Sequence, residues 1–250
     1  MGKREDTLLE HAPLLINDVP FAYKEAYKTL RTNLSFASIS RKYKKLIITS
    51  AIPGEGKSTV AINLAFALAE SDAKVLLIDC DLRSPTLRRL LHVRPEYKAG
   101  LTSLLAGTST LNECIFRYPK MNCDVLLAGT TPPNPAELLS SPQMERILDY
   151  LSKSYDYIIC DTPPISVVTD AAALSRFCDG VIMVVRQKNA TRDQVRAAKR
   201  NLDAVQANVI GTILSGYDMS DDTQAAGSYY GGYSRYGSTD GGKKRKKNDD

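Results

Sequence analysis

The sequence predicts an α/β protein in which helices flank both faces of a parallel sheet. Six short apolar runs alternate with stretches of helical character, an alternation typical of parallel strands joined by crossover helices. A glycine-rich turn also separates the first apolar run from a helical stretch, the order expected of a strand, a phosphate-binding loop and a helix. The predicted strands lie near residues 46–50, 75–79, 124–128, 157–160, 180–185 and 208–214, and the clearest helices near 21–36, 59–70, 141–153 and 191–204.

The length and composition of the chain fit one folded domain with extensions. A chain of 250 residues, 43% of them apolar, can bury a substantial core, and no internal repeat indicates a second domain. Residues 1–20 lack periodicity, so we expect an N-terminal arm, with the folded domain spanning residues 21–217. Residues 218–250 are rich in glycine, serine, tyrosine and charge, and we expect them to form a disordered tail.

The turn after the first predicted strand has the residues of a phosphate-binding loop. Residues 51–58 read Ala-Ile-Pro-Gly-Glu-Gly-Lys-Ser, with Ala51 where the complete motif has glycine. The glycines allow backbone N–H groups to close on phosphate oxygens, and the N-terminal end of the following helix attracts negative charge. We expect Lys57 to reach the β- and γ-phosphates and the Ser58 hydroxyl to bind Mg²⁺. The loop predicts a P-loop NTPase-like fold that binds nucleotide through Gly54, Glu55, Gly56, Lys57, Ser58 and Thr59.

Carboxylates follow two other predicted strands. Asp79 and Asp81 end the second strand, and Asp161 ends the fourth. Because ligands of open parallel sheets bind beyond the carboxyl ends of the strands, we expect Ser58, Asp79 and Asp161 to hold one Mg²⁺ ion. Alternate residues of an extended chain point the same way, so Asp79 and Asp81 should share a side, with Cys80 turned away. One aspartate of the pair would hold the metal while the other accepts a proton, and the spacing does not decide which.

Four segments of the chain resemble the bacterial tyrosine kinases of capsule and exopolysaccharide assembly. They are residues 53–59, 77–85, 128–139 and 158–164, and the resemblance covers about residues 20 to 240. It implies that the first, second and fourth segments are Walker A, A′ and B motifs, and that the chain transfers a phosphoryl group from ATP with Mg²⁺ to protein tyrosines. It also implies that the kinase regulates synthesis and export of these polysaccharides. The residues expected to act in catalysis are Lys57, Asp79 and Asp81.

A cluster of tyrosines lies in the predicted tail, between residues 227 and 242. The resemblance implies that they are autophosphorylated in trans, and the flexible glycines around them would let each enter a neighbouring active site. Every phosphate would add about −1.5 to −2 charges, so several together would repel one another and release the tail from an assembly. A low-complexity linker is the alternative interpretation. The expected sites of modification are Tyr229, Tyr230, Tyr233 and Tyr236.

A family element near the N-terminus has the pattern Glu-x-x-Arg-x-x-Arg, present here as Glu25, Lys28 and Arg31. The spacing of three places these charges along one side of the helix at 21–36. In the family this pattern packs subunits into rings, so the resemblance implies a homo-oligomer and these three residues as its contact. Lys28 lacks the planar fork of arginine, so the contact would rest more on Arg31. A solvent-exposed helix stripe is the alternative.

The sequence also bears on location and partners. No apolar stretch approaches the roughly twenty residues needed to cross a bilayer, and the N-terminus lacks the apolar core of a signal peptide, so we expect a cytoplasmic protein. The chain resembles the split form of the family, which implies a separate transmembrane activator that holds the kinase at the inner face of the membrane. The net charge of +5 is modest and no basic, aromatic-interleaved face is present, so no nucleic-acid partner is expected.

Two other functions fit parts of the pattern. Partitioning and septum-placing ATPases of the MinD and ParA type share the predicted fold, but usually have a lysine at the start of the phosphate loop, where this chain has Ile52, and many end in an amphipathic helix. A non-catalytic scaffold that binds nucleotide and assembles polysaccharide machinery would have its tyrosines modified by another kinase. Labelling of a Lys57→Met protein by an active copy would distinguish the scaffold from the kinase.

Overall fold

The computed structural model describes residues 14–39, 41–94 and 98–217 and contains a seven-stranded sheet in the order β3-β4-β2-β5-β1-β6-β7. The predicted α/β class is confirmed. All neighbouring strands are parallel except β3 and β4, which pair antiparallel. The strands are β1 (Lys45–Ser50), β2 (Val75–Asp79), β3 (Ile115–Tyr118), β4 (Cys123–Leu126), β5 (Tyr157–Asp161), β6 (Gly180–Arg186) and β7 (Val209–Ser215).

The four predicted helices are present, with ends within two residues of the predicted ones, alongside several shorter helices. The strand β3 was not predicted: it is a four-residue edge strand that is only partly buried, so it lacks a long apolar run. The helices are α1 (Phe21–Ala37), α2 (Lys57–Ala69), α3 (Leu87–Leu90), α4 (Leu101–Leu105), α5 (Leu111–Cys114), α6 (Pro135–Leu139), α7 (Pro142–Leu151), α8 (Asp170–Ser175) and α9 (Arg192–Ala204), with a 3₁₀ turn at Pro119–Met121.

Helices cover both faces of the sheet, as predicted. Side chains of the central strand β1 alternate between two clusters: Leu46 and Ile48 pack with α1 and α2, whereas Ile47 packs with α7, α8 and α9. All three side chains have no exposed surface. A strand that is buried on both faces has no polar alternation, which is why the central strands read as continuous apolar runs.

The topology places the ends of three strands side by side. The strand β5 lies between β2 and β1, and its last residue, Asp161, is in register with Asp79 of β2 and Ile48 of β1. The backbone N–H of Cys80 donates to the carbonyl oxygen of Asp161 at 2.8 Å. The loops that follow β1, β2 and β5 therefore begin next to one another.

The predicted extensions are described only in part. Of the proposed arm, residues 14–20 pack on the domain: Leu14, Leu15 and Val19 are buried, and the N–H of Leu15 donates to Asn63 Oδ1 of α2 at 2.8 Å. The proposed tail at 218–250 lies outside the described residues, and the domain boundaries stay a prediction. No helix in the described part of the chain combines the length and the apolar character needed to cross a bilayer.

Packing at Gly100 gives a test of this fold. The start of α4 lies against the chain after β4, where the N–H of Leu101 donates to the carbonyl of Leu127 at 2.8 Å. A Cβ at Gly100 would lie 2.5 Å from the Leu127 oxygen and the Gly129 nitrogen, which are backbone atoms. We expect Gly100→Ala to lower the free energy of unfolding by about 1–3 kcal/mol in urea denaturation, as over-packed sites do.

The matched control is Gly211→Ala in β7, where an added Cβ would have no atom within 4 Å. We expect this variant to change the free energy of unfolding by less than about 0.5 kcal/mol. Equal losses of unfolding free energy in the two variants would contradict the close approach of backbone atoms to Gly100.

Candidate active site

The loop between β1 and α2 has the backbone geometry of a phosphate-binding loop. Gly54 and Gly56 have φ angles of 81° and 84°, a left-handed conformation that glycine adopts without steric cost. Gly56 caps α2, so the N–H groups of the first turn, which have no partner inside the helix, face the loop. Ala51, which stands where the complete motif has glycine, is fully buried, and its methyl group packs in the core.

Lys57, the first residue of α2, lies among the predicted carboxylates. Its Nζ is 3.4 Å from Asp81 Oδ2 and 3.3 Å from Ser58 Oγ. Burial disfavours the charged ammonium, but attraction to Asp161, Asp81 and Asp79 outweighs it and raises the pKa of Lys57 above its ordinary value. The side chain is therefore a buried cation at neutral pH.

Asp79 and Asp81 make different contacts. Asp79 is fully buried, and its two oxygens accept the N–H groups of Asp81 and Leu87, both at 3.2 Å. Asp81 accepts the N–H of Ser84 at 3.0 Å and turns its other oxygen to Lys57. Burial, together with the nearby charges of other aspartates, raises the pKa of Asp79 well above its usual range. Asp79 thus shapes the loop after β2, and Asp81 is the member of the pair that contacts the lysine.

Asp161 is buried without a partner. Neither of its carboxylate oxygens accepts a hydrogen bond from any described group. Burial raises its pKa to about 6, although the charge of Lys57 opposes the shift. Buried polar atoms without partners are rare and costly, and a divalent cation would satisfy these. Carboxylate and hydroxyl oxygens are the ligands that Mg²⁺ prefers, so Asp161 and the Ser58 hydroxyl fit a magnesium site.

Protein side chains would supply only some of the ligands of a bound Mg²⁺ ion. No cluster of three or more histidine, cysteine, aspartate or glutamate side chains within the three described ranges is arranged to hold a metal ion. Mg²⁺ is usually held by one or two carboxylates together with substrate phosphates and water, so two protein ligands suffice. The assignment of Asp79 as a further ligand stays a prediction, because its oxygens accept backbone N–H groups.

Glu55 lies in the loop, and its side chain is engaged by other parts of the chain; its role in nucleotide binding stays a prediction. Its carboxylate is fully buried and accepts the N–H of Arg186 at 2.7 Å and the side-chain amide of Asn189. Its carbonyl oxygen accepts the Ser215 hydroxyl at 2.6 Å. Glu55 therefore fastens the phosphate loop to the ends of β6 and β7. Sequence reasoning missed its partners because they lie more than 130 residues away and belong to no motif.

A second contact that the motifs did not indicate is at Thr86, whose hydroxyl donates to Ser58 Oγ at 2.9 Å. It joins the loop after β2 to the proposed metal ligand. Thr86 follows the second motif directly, and threonine at a loop end is too common to be distinctive.

The predicted oligomer contact lies on α1. The ammonium of Lys28 pairs with Glu25 at 2.7 Å, and Arg31 donates to the carbonyl oxygen of Ala67, near the end of α2, at 2.7 Å. Arg31 thus caps a helix of its own chain. The role of these residues between subunits stays a prediction, and the four tail tyrosines lie outside the described residues.

Comparison with known proteins relates this site to a family. Residues 43–213 match the family described as AAA domain. The tyrosine-protein kinase YwqD of Bacillus subtilis (strain 168) is 42% identical over 207 residues, which are 83% of this chain and 86% of that protein. The tyrosine-protein kinase CpsD of Streptococcus agalactiae is 35% identical over 223 residues, 89% of this chain and 93% of that protein.

Solved structures agree with these relatives. The kinase domain of Escherichia coli tyrosine kinase ETK is 37% identical, with a TM-score of 0.76, over 82% of this chain and 80% of that structure. The septum site-determining protein MinD from Pyrococcus horikoshii OT3, complexed with Mg-ADP, is 25% identical, with a TM-score of 0.60, over 73% of this chain and 75% of that structure. The predicted P-loop NTPase-like fold is confirmed, and the septum site-determining protein is the more distant of the two structures.

The burial of Asp161 predicts a trade between stability and function. Its pKa in the folded protein, about 6, exceeds the ordinary 3.8, so the folded state holds its proton more tightly and stability falls as the pH rises from about 4 to 6. At pH 7 the buried charge is a net cost. We expect Asp161→Asn to raise the free energy of unfolding without nucleotide by about 1–3 kcal/mol at pH 7, measured by urea denaturation.

We expect Mg²⁺ and ADP to raise the melting temperature of the unmodified protein, and we expect this variant to lose that stabilisation. Asp193→Asn is the matched control, because the Asp193 side chain is 93% exposed. The free energy of unfolding of this variant should differ from that of the unmodified protein by less than about 0.5 kcal/mol. A less stable Asp161→Asn protein at pH 7 would contradict the interpretation that the buried charge of Asp161 destabilises the fold despite its attraction to Lys57.

Proposed function

The chain belongs to the family of bacterial tyrosine-protein kinases, and from this premise we propose that it transfers the γ-phosphoryl group of ATP to protein tyrosines, including those of its own tail in a neighbouring subunit. We further propose that this activity regulates the synthesis and export of capsular polysaccharide or exopolysaccharide. One observation carries the proposal: the carboxylate of Asp161, buried and without a hydrogen-bond donor, is close enough to Lys57 and Ser58, where the phosphate-binding loop passes into α2, for both to lower its pKa.

Binding of ATP would use residues 54–59. The N–H groups of the loop and of the first turn of α2 would meet the phosphate oxygens, and Lys57 would neutralise the charge that develops on the γ-phosphoryl group. Ser58 and Asp161 would hold Mg²⁺, which would supply positive charge against the phosphates. Glu55 would contribute indirectly, by holding the loop in place.

The acceptor tyrosine must lose a proton during the transfer. A phenol has a pKa near 10, so it is protonated at neutral pH and needs a base as the new O–P bond forms and the β,γ-bridging bond breaks. ADP leaves with the bridging oxygen, and the proton goes to Asp79 or Asp81. Asp79 has the raised pKa of a stronger base, whereas Asp81 is the less completely buried of the two. Both therefore remain candidates for the base.

The family resemblance supports the rest of the proposal. The acceptor sites are Tyr229, Tyr230, Tyr233 and Tyr236; the subunit contact involves Glu25, Lys28 and Arg31; and a separate transmembrane activator places the kinase at the inner face of the cell membrane. If the four tyrosines are acceptors for a neighbouring subunit, this accounts for a glycine-rich tail that follows a nucleotide-binding domain.

Phosphotyrosine immunoblotting after incubation with ATP, Mg²⁺ and the activator tests the proposal. We expect Lys57→Met to reduce the label at least about 100-fold, since it removes the cation beside the phosphates. Lys74→Met, which changes an exposed lysine, should leave the label unchanged. Deleting residues 227–242 should remove the label from the chain itself. Label that persists in Lys57→Met would overturn the function.

Mixing experiments separate transfer between copies from transfer within one. A tagged Lys57→Met protein should acquire label when an active copy is added, because its tail would enter the active site of that copy. A scaffold without activity would give no label on either protein.

A further inference from the structure

An ion pair links the loop after β2 to the segment after β5. The Nε and Nη2 atoms of Arg83 donate to the two carboxylate oxygens of Asp170, at 2.9 and 3.0 Å. Arg83 lies two residues after Asp81, and Asp170 opens α8, nine residues after Asp161. A bidentate pair of arginine and carboxylate fixes orientation as well as distance. The pair thus constrains two segments that each begin with an aspartate of the active site.

The burial of the pair is uneven. The Asp170 side chain has no exposed surface, whereas that of Arg83 is 41% exposed at the rim of the site. Placing a carboxylate in the interior costs solvation free energy, and pairing recovers this cost only with good geometry. Replacement of buried ion pairs by apolar residues is often neutral or stabilising in proteins. A buried acid at this place is therefore better explained by orientation than by stability.

The other contacts of the loop indicate that the ion pair orients Asp81. Asp79 accepts N–H groups at both ends of the turn, and the hydroxyl of Thr86 reaches Ser58. These contacts lie at the base of the loop. Arg83 lies in the outer, solvent-exposed part of the loop, where its guanidinium is also attracted by the charge of Asp81. A shift of Arg83 would move Asp81, whose Oδ2 contacts Lys57.

We propose that Arg83 and Asp170 are positioning residues for phosphoryl transfer, which hold the loop after β2 so that Asp81 keeps its place against Lys57 and opposite Asp161. The inference rests on the proposed function. Neither residue needs to touch ATP or tyrosine. Misplacing a reacting group by about 1 Å can reduce a rate about 100-fold, so loss of the pair slows transfer without preventing nucleotide binding.

A double-mutant cycle separates positioning from stability. Arg83→Ala leaves a buried charge unpaired and should lower the melting temperature, as should the loss of packing in Asp170→Ala. The double variant no longer contains the unpaired buried charge, so its melting temperature should rise above that of Arg83→Ala, although the packing lost with Asp170 stays lost. Three quantities are measured for each full-length variant: the melting temperature, the dissociation constant of a fluorescent ADP analogue with Mg²⁺, and the rate of labelling of a tagged Lys57→Met acceptor with activator and saturating ATP.

In the double variant we expect a labelling rate reduced about tenfold or more, with the dissociation constant changed less than about threefold. Arg83→Lys should keep the stability but only part of the rate, because lysine lacks the planar fork. Lys199→Ala, which breaks the exposed pair with Asp203 on α9, is the matched control and should change none of the three quantities.

The outcomes are distinct. A double variant that recovers its labelling rate along with its stability would overturn the inference and leave the proposed function intact. An unmodified protein that gives no label in the presence of the activator would overturn both.

Discussion

The confinement of one lysine and three aspartates in a buried space is the constraint on which the rest of the site depends. One ammonium cannot neutralise three carboxylates, and burial removes the water that would otherwise screen them. The consequence is visible in the raised pKa values of Asp79 and Asp161 and in the partnerless oxygens of Asp161. Burial and mutual repulsion thus oppose ionisation of these carboxyl groups, and a divalent cation is suited to relieve that repulsion. A nucleotide bound together with Mg²⁺ would supply such a cation without a complete cage of protein ligands.

The sheet topology creates this confinement. Because β5 lies between β1 and β2, the phosphate loop and the two aspartate motifs emerge from neighbouring strands, although they are up to about 100 residues apart in the chain. These three strands are buried on both faces, so hydrophobic packing determines their register in the sheet. Asp79 and Asp161 are adjacent through register alone, before any side-chain contact is made. Side chains then adjust the loops: Glu55 fastens the phosphate loop, and Thr86 and Arg83 fasten the loop after β2.

Prediction from sequence succeeded where the signal is local. Apolar runs and a glycine-rich turn predicted six of the seven strands and the phosphate loop, because burial and backbone conformation depend on a few neighbouring residues. The short edge strand β3 lacks such a run and was missed. The partners of Glu55 and the pairing of Arg83 with Asp170 were also missed, since these contacts join residues 87 to 160 positions apart. Chain folding decides such contacts, and a single sequence carries no mark of them.

The geometry also bears on whether a tail tyrosine reaches its own site or that of a neighbour. The described chain ends at Tyr217 after β7, which is four strands from β2, or about 19 Å at the usual spacing of strands. Tyr229 lies twelve residues further on, and twelve extended residues span up to about 40 Å. Length therefore permits entry into the chain's own site. A preference for transfer between copies must come from how subunits place one tail nearest another's site. For this reason the proposed subunit contact on α1 and the proposed acceptor tyrosines of the tail would belong to one mechanism, although they lie in different parts of the chain.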